Sequence, residues 1–158
     1  MTNTTSFCSR LTQRLFLPAA LLTCLTVGTG SSSPKAPAFT VFAQRYWNYT
    51  GYSVEVGATY ELAATGIWYD ASTPSGPDGY PRGNYFQNLV SGFRRSPCHQ
   101  WFALIGTLDG SHNTQFLIGS HVTYTAPRSG EIVCYANDVP GFYWNNEGSV
   151  NLMIDRIK

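Results

Sequence analysis

From Ala38 onward, apolar residues recur at every second position. Phe39, Val41 and Ala43 share one face of a segment, and Tyr52, Val54 and Val56 share one face of the next. After the break at Gly57, Tyr60, Leu62 and Ala64 lie opposite Thr59, Glu61 and Ala63, and Gly66-Ile67-Trp68-Tyr69 continues the run. Near the end, Val150, Leu152 and Ile154 alternate with Asn151, Met153 and Asp155. A period of two places successive side chains on opposite faces of an extended backbone, which is the pattern of half-buried strands. Further strands are predicted at 101–105, 115–118, 121–125 and 131–135, and no convincing helix follows the N-terminal segment. About eight short strands, closely spaced, predict an all-β fold, a small β-sandwich. Composition agrees: 15% of residues are aromatic and only 12% are charged, about half the usual charged share.

One stretch breaks the pattern. Residues 71–98 carry Pro74, Gly76-Pro77-Asp78-Gly79 and Pro81-Arg82-Gly83-Asn84 and show no period. A loop of this length inside a compact domain is uncommon and tends to carry function.

The first 30 residues have the three-part layout of a secretory signal: a polar start with Arg10 and Arg14, an apolar run from Leu15 to Val27, then small residues from Gly28. The apolar run is short for a bilayer span. The sequence therefore divides into a signal peptide over 1–30, a flexible linker over 31–37 and a β-sandwich domain over 38–158, and the product is expected to be exported, whether secreted, periplasmic or on the cell surface. Leu22-Thr23-Cys24 also loosely resembles a lipoprotein box, which is the lesser reading because Thr23 is a poor residue before such a cysteine. Of the ten Lys and Arg residues two lie in the signal, leaving eight against nine acidic residues, a net charge of about −1. That balance gives no drive towards phosphate backbones, so nucleic acid is not an expected partner. Signal removal leaves Cys98 and Cys134, and two readings stay open, a disulfide between them or two separate thiols.

The segment that gathers most chemistry is Asn137-Asp138-Val139-Pro140-Gly141-Phe142-Tyr143-Trp144-Asn145-Asn146-Glu147-Gly148, between the last two predicted strands. It collects hard oxygen donors: the Asp138 carboxylate, the Asn145 and Asn146 amides, and turn carbonyls. Calcium takes six to eight such oxygens in irregular geometry, whereas magnesium is stricter and zinc favours His or Cys. The same residue types also build ordinary turns, so composition by itself leaves a purely structural loop open.

The run from Asn137 to Ser149 resembles, without gaps, the C-terminal signature of the PA-IL-like calcium-dependent galactophilic lectins, a galactose-binding-domain-like family. Ala63-Ala64-Thr65-Gly66-Ile67-Trp68 is similar to that family's Ala-Ala-Gly-Trp stretch, and Gly76-Pro77-Asp78-Gly79 to its Gly-Pro-x-Gly loop. The resemblance covers roughly residues 38–156, strongly at the end and thinly in the middle. It implies a small jelly-roll β-sandwich that binds one Ca2+ through the side chains of Asp138, Asn145 and Asn146 and the carbonyls of Phe142 and Asp70, with two sugar hydroxyls completing the shell. The implied partner is a carbohydrate, galactose-like in the family, contacted by Asp138, Asn145 and Asn146 and flanked by Asn84 and Trp144. The family's sugar-contacting His and Gln after the Gly-Pro-x-Gly loop have no counterpart in Tyr80-Pro81-Arg82-Gly83-Asn84-Tyr85-Phe86; Asn84 is the nearest substitute, and Gln87 stands one place further on.

The remaining candidates read more blandly. His99, His112 and His121 are not at ligand spacing, and no nucleophile elbow is present. Asp70 and Asp78 could pair as an acid/base couple for glycoside cleavage, but loop carboxylates are usually solvated. Trp101 reads as core, and Trp144, beside the loop, as a stacking surface for a sugar. The expectation is a non-catalytic, calcium-dependent carbohydrate-binding domain, compatible with a homo-oligomer; the alternative is an envelope interaction module in which calcium only staples the loop.

Overall fold

The computed structural model describes residues 37–81 and 83–158. The signal segment 1–30 and all but the last residue of the 31–37 linker lie outside the described residues. Nine strands are present among those described: β1 (Ala38–Phe42), β2 (Asn48–Val54), β3 (Thr59–Asp70), β4 (Thr73–Ser75), β5 (Leu104–Leu108), β6 (Phe116–Leu117), β7 (His121–Thr125), β8 (Gly130–Ala136) and β9 (Asn146–Arg156). They form two antiparallel sheets. One runs β1-β9-β3-β4, with β7 also paired to β3; the other runs β2-β8-β5-β6. The all-β sandwich read from the alternation is the observed architecture.

The period of two sorts the inner face. On β3, Tyr60, Leu62, Ala64 and Trp68 are buried, and on β9 Val150, Leu152 and Ile154 are buried. These meet Phe102 and, from the opposite sheet, Leu104, Leu108, Ile132, Cys134 and Ala136 in one hydrophobic core. Gly66 of β3 has a positive φ of 125°, and an added Cβ there would lie 3.1 Å from the Ser149 carbonyl oxygen and the Val150 Cα, so β3 and β9 can approach closely there. Cys134 is a free, fully buried thiol of this core, so the pairing of Cys98 with Cys134 does not occur.

Three sequence expectations change. The strand expected over 101–105 lies at Leu104–Leu108, because Tyr80 N–H bonds the Trp101 carbonyl at 2.8 Å and Phe102 adopts a positive φ of 59°, which turns the chain before the strand begins. Val56 lies beyond β2 and is exposed. A short helix, α1 (Tyr85–Leu89), sits in the segment that lacked any period. Its start is closed reciprocally: Asn84 N–H donates to Gln87 Oε1 at 2.7 Å, and Gln87 N–H donates to Asn84 Oδ1 at 2.9 Å. This side chain to backbone exchange satisfies two of the amides that a helix start leaves open.

Candidate functional site

The inward parity of β3 runs on past Trp68 to Asp70, and that of β9 begins at Asn146. The register pairs Asp70 directly with Asn146. Directly paired residues share a face, with Cβ atoms about 5 Å apart. The same alternation that fills the core with Leu and Ile thus places an acid and an amide inside, at one end of the sheet. Asp138 reaches this end from the chain leaving β8.

Asp138 is buried. Its Oδ1 accepts the Val139 N–H at 2.7 Å and its Oδ2 accepts Asn146 Nδ2 at 3.0 Å. Burial raises its pKa from 3.8 to about 6; the bonds from Asn146 and Val139 pull the other way, and the charge of Asp70 adds to the rise. The loop that follows is held from several sides. Tyr143 OH donates to the Ala136 carbonyl at 2.5 Å and accepts Arg95 Nη1 at 2.9 Å, while Arg95 N–H donates to the Asp138 carbonyl at 3.0 Å. Asn137, fully buried, bonds Ser96 through both its amide oxygen and its amide nitrogen. Asn137 therefore braces the loop, and its neighbours carry the site.

Two acceptors are left over. Asn145 Oδ1 and Asn146 Oδ1 are both buried without a hydrogen-bond partner. Buried amide oxygens are nearly always satisfied, so two orphans beside a buried carboxylate call for an explanation. The Phe142 carbonyl accepts Asn145 N–H at 3.2 Å. An open cleft of about 170 Å³ lies against this arrangement, lined by Asp138, Phe142, Asn145, Asp70, Gln87 and Trp101 among others.

Asp70, also buried, is held from the other direction. Tyr80 OH donates to Asp70 Oδ2, Gln87 Nε2 donates to the same oxygen at 2.8 Å, and Gln87 Nε2 also reaches Tyr80 OH at 2.9 Å. Burial raises the Asp70 pKa, and the two donors oppose that rise. Burial and the adjacent carboxylate push the Tyr80 phenol well above its ordinary range. Asn84 also borders the cleft, but its Oδ1 is committed to the start of α1.

The structure thus brings Asp70, Asp138, Phe142 and Asn145 to one cleft, with Asn146 bonded beneath. Trp144 does not line it; 78% of this residue is exposed. Trp101 does, while buried, with the Arg94 guanidinium 4.8 Å from its ring centre. Tyr80 and Gln87 were not assigned roles from sequence. The reciprocal Asn-x-x-Gln spacing of a helix start was the one signal that could have fixed Gln87. Elsewhere, Asp78 accepts Ser120 N–H at 2.7 Å and does not face Asp70 across the cleft. His99, His112 and His121 bond Ser96, Gln115 and Glu61, respectively. Among the described residues no three His, Cys, Asp or Glu side chains come together, so the donor set at the cleft is one of carboxylate, amide and carbonyl oxygens.

The fold resembles that of a PllA-like lectin. The solved structure is the N-terminal domain of EclA, described as a PllA-like lectin; it superposes with a TM-score of 0.59 at 17% identity, over 75% of this chain and 94% of that one. At this identity the likeness is one of fold. No family model matches the chain, and no curated protein matches it.

Proposed function

We propose that this protein binds carbohydrate through a calcium ion held by Asp138, Asn145 and Asn146, with carbonyls of Phe142 and Asp70 as further donors. The observation that carries this reading is the pair of orphaned amide oxygens, Asn145 Oδ1 and Asn146 Oδ1, beside the buried Asp138 carboxylate. Hard neutral oxygens with one firm negative charge are what a calcium site uses, and this set lacks nitrogen and sulfur ligands. Once bound, the cation supplies open coordination positions that sugar hydroxyls can take in place of water. The chain does the rest: Asp138 and the Asn145 amide face the cleft as acceptors for hydroxyl protons, and the Trp101 side of the cleft offers an apolar wall. The similarity of fold to a lectin supports the carbohydrate assignment, and the N-terminal segment supports export, whether the product is secreted, periplasmic or on the cell surface.

A second reading keeps the ion and drops the sugar. It is favoured by Asn84, whose Oδ1 is already spent on α1 and which stands where the resembling family has sugar-contacting residues. The two readings separate by experiment. Calcium should raise Tm of the wild-type protein and leave Asp138→Ala unmoved; equal indifference to calcium in both would end both readings. A glycan array read with and without chelator then decides between them. Chelator-sensitive glycan signal is the expected result, and calcium-dependent stability without any such signal would leave only the staple.

A further inference from the structure

Between Gly79 and Leu108 the chain carries no Asp or Glu, while Arg82, Arg94 and Arg95 fall within that run. Within it, α1 and the single helical turn Ser91–Phe93 present large apolar residues to water: Tyr85 is 86% exposed, Leu89 71% and Phe93 70%. A surface helix normally turns its apolar residues to the core and its polar ones to solvent. Here the polar Gln87 turns inward and donates to the buried Asp70 at 2.8 Å. Tyr85 and Leu89, four residues apart and so on one face of α1, are the ones left outside. The segment is held in this posture. Asn84 and Gln87 close the start of α1, and Phe93 N–H bonds the Val90 carbonyl at 2.9 Å. An apolar face fixed outward by polar bonds on its other side marks an interaction surface.

We propose that this face docks the protein peripherally on an anionic lipid surface, with Tyr85, Leu89 and Phe93 entering the interfacial layer. Aromatic rings and Leu beside basic residues are the side chains that settle at such a layer. The charge fits as well: Arg94, half-buried, follows Phe93 directly, and the acid-free run sets no carboxylate of its own against anionic head groups. Asp70 and Asp138, which border the cleft, are buried. Area argues against a second copy of the chain. A large aromatic side chain offers about 150–250 Å², so three such side chains fall short of the roughly 800 Å² that a stable protein interface takes from each partner. The proposal goes beyond the carbohydrate reading and does not depend on it.

The test is sedimentation of the full chain with vesicles of phosphatidylcholine, alone or with about 30% phosphatidylglycerol, in the presence of chelator. The vesicles carry no saccharide and the chelator removes calcium, so neither part of the carbohydrate reading enters the result. Wild type should bind the anionic vesicles more tightly than the neutral ones, and less so as NaCl rises from about 0.05 to about 0.5 M. Leu89→Ser combined with Phe93→Ser should weaken binding at least about tenfold. Hydrogen exchange on wild type locates the contact without any variant: vesicles should slow the amides of residues 84–93 and leave β2 and β8 unchanged. That footprint also separates this face from the N-terminal apolar run. No vesicle binding, equal binding to both vesicles, full binding by the double variant, or protection only elsewhere in the chain overturns the proposal. Self-association without vesicles that the double variant abolishes would assign the face to a second copy and overturn it too.

Discussion

Asn146 donates its amide nitrogen to Asp138 Oδ2 at 3.0 Å, and in doing so leaves its own Oδ1 buried with nothing to accept. The pair is thus half satisfied. Its nitrogen steadies the carboxylate, and its oxygen is held ready for a donor or a cation.

Removing the carboxylate should remove the metal. Asp138→Ala is expected to weaken calcium binding by at least about 100-fold, since it deletes the carboxylate that bonds Asn146 beside the amide oxygens. Asp138→Asn, which keeps shape and hydrogen bonding, should lose nearly as much. Calorimetry with calcium checks both. An Asn variant that binds as well as wild type would mean that shape, not charge, holds the ion.

The pH dependence has a definite sign. With its pKa raised from 3.8 to about 6, Asp138 binds its proton more tightly folded than unfolded when no cation is present. Its contribution to metal-free stability is therefore complete below pH 3.8 and is lost as pH rises through about 6; the whole change amounts to about 3 kcal/mol. Excess calcium should reverse the slope, because the ion needs the carboxylate and its affinity falls as pH drops below about 6. Urea denaturation between pH 4 and 7.5, with calcium and with chelator, measures both slopes. Parallel slopes would rule out a shared role for proton and ion at Asp138.

Gln87→Leu should loosen one wall of the cleft and spare the core. The change removes the bonds to Asp70 and Tyr80 and half of the reciprocal closure of α1. A loss of about 1–2 kcal/mol is expected, with faster amide exchange confined to residues 83–90. Exchange that speeds up across β3 and β9 as well would show that Gln87 supports the whole sheet.

Arg95 is a buried cation whose counterpart is aromatic. Its guanidinium carbon lies 3.5 Å from the ring centre of Tyr135, 3.8 Å from Tyr46 and 4.1 Å from Trp47, and its Nη1 bonds Tyr143 OH and the Tyr46 carbonyl. Planarity matters in such a stack, so Lys is a poor replacement. Arg95→Lys should cost about 2 kcal/mol and Arg95→Ala about 3 kcal/mol or more in chemical denaturation, with calcium affinity falling as Tyr143 loses its anchor. A Lys variant as stable as wild type would show that the position needs only a charge.

The β-sandwich was legible in the chain because alternation is a local property. Val150, Leu152 and Ile154 announce an inner face whatever pairs with them, and the structure buries all three. The helix α1 was not legible, since five residues give no period and only the exchange between Asn84 and Gln87 closes its start. The shift of the 101–105 strand to Leu104–Leu108 follows from a backbone bridge between Tyr80 and Trp101, residues far apart in sequence. Trp101 is buried, as read, but also borders the cleft, and Trp144, read as a stacking surface, does not line it. Position beside a loop does not say which way a side chain turns, and here the more exposed indole is the one nearer the loop in sequence.

Residue types alone determined that this chain folds as β-structure with a polar, sparsely charged surface, and that its last loop carries oxygen donors. The tertiary structure decided which of those oxygens lack partners, because satisfaction is a matter of what else is within about 3 Å. It also decided that Asp70, which the sequence left beside a long loop, stands opposite Asn146. That juxtaposition is set by strand register, and register is fixed by the packing of the whole inner face, which no single segment specifies.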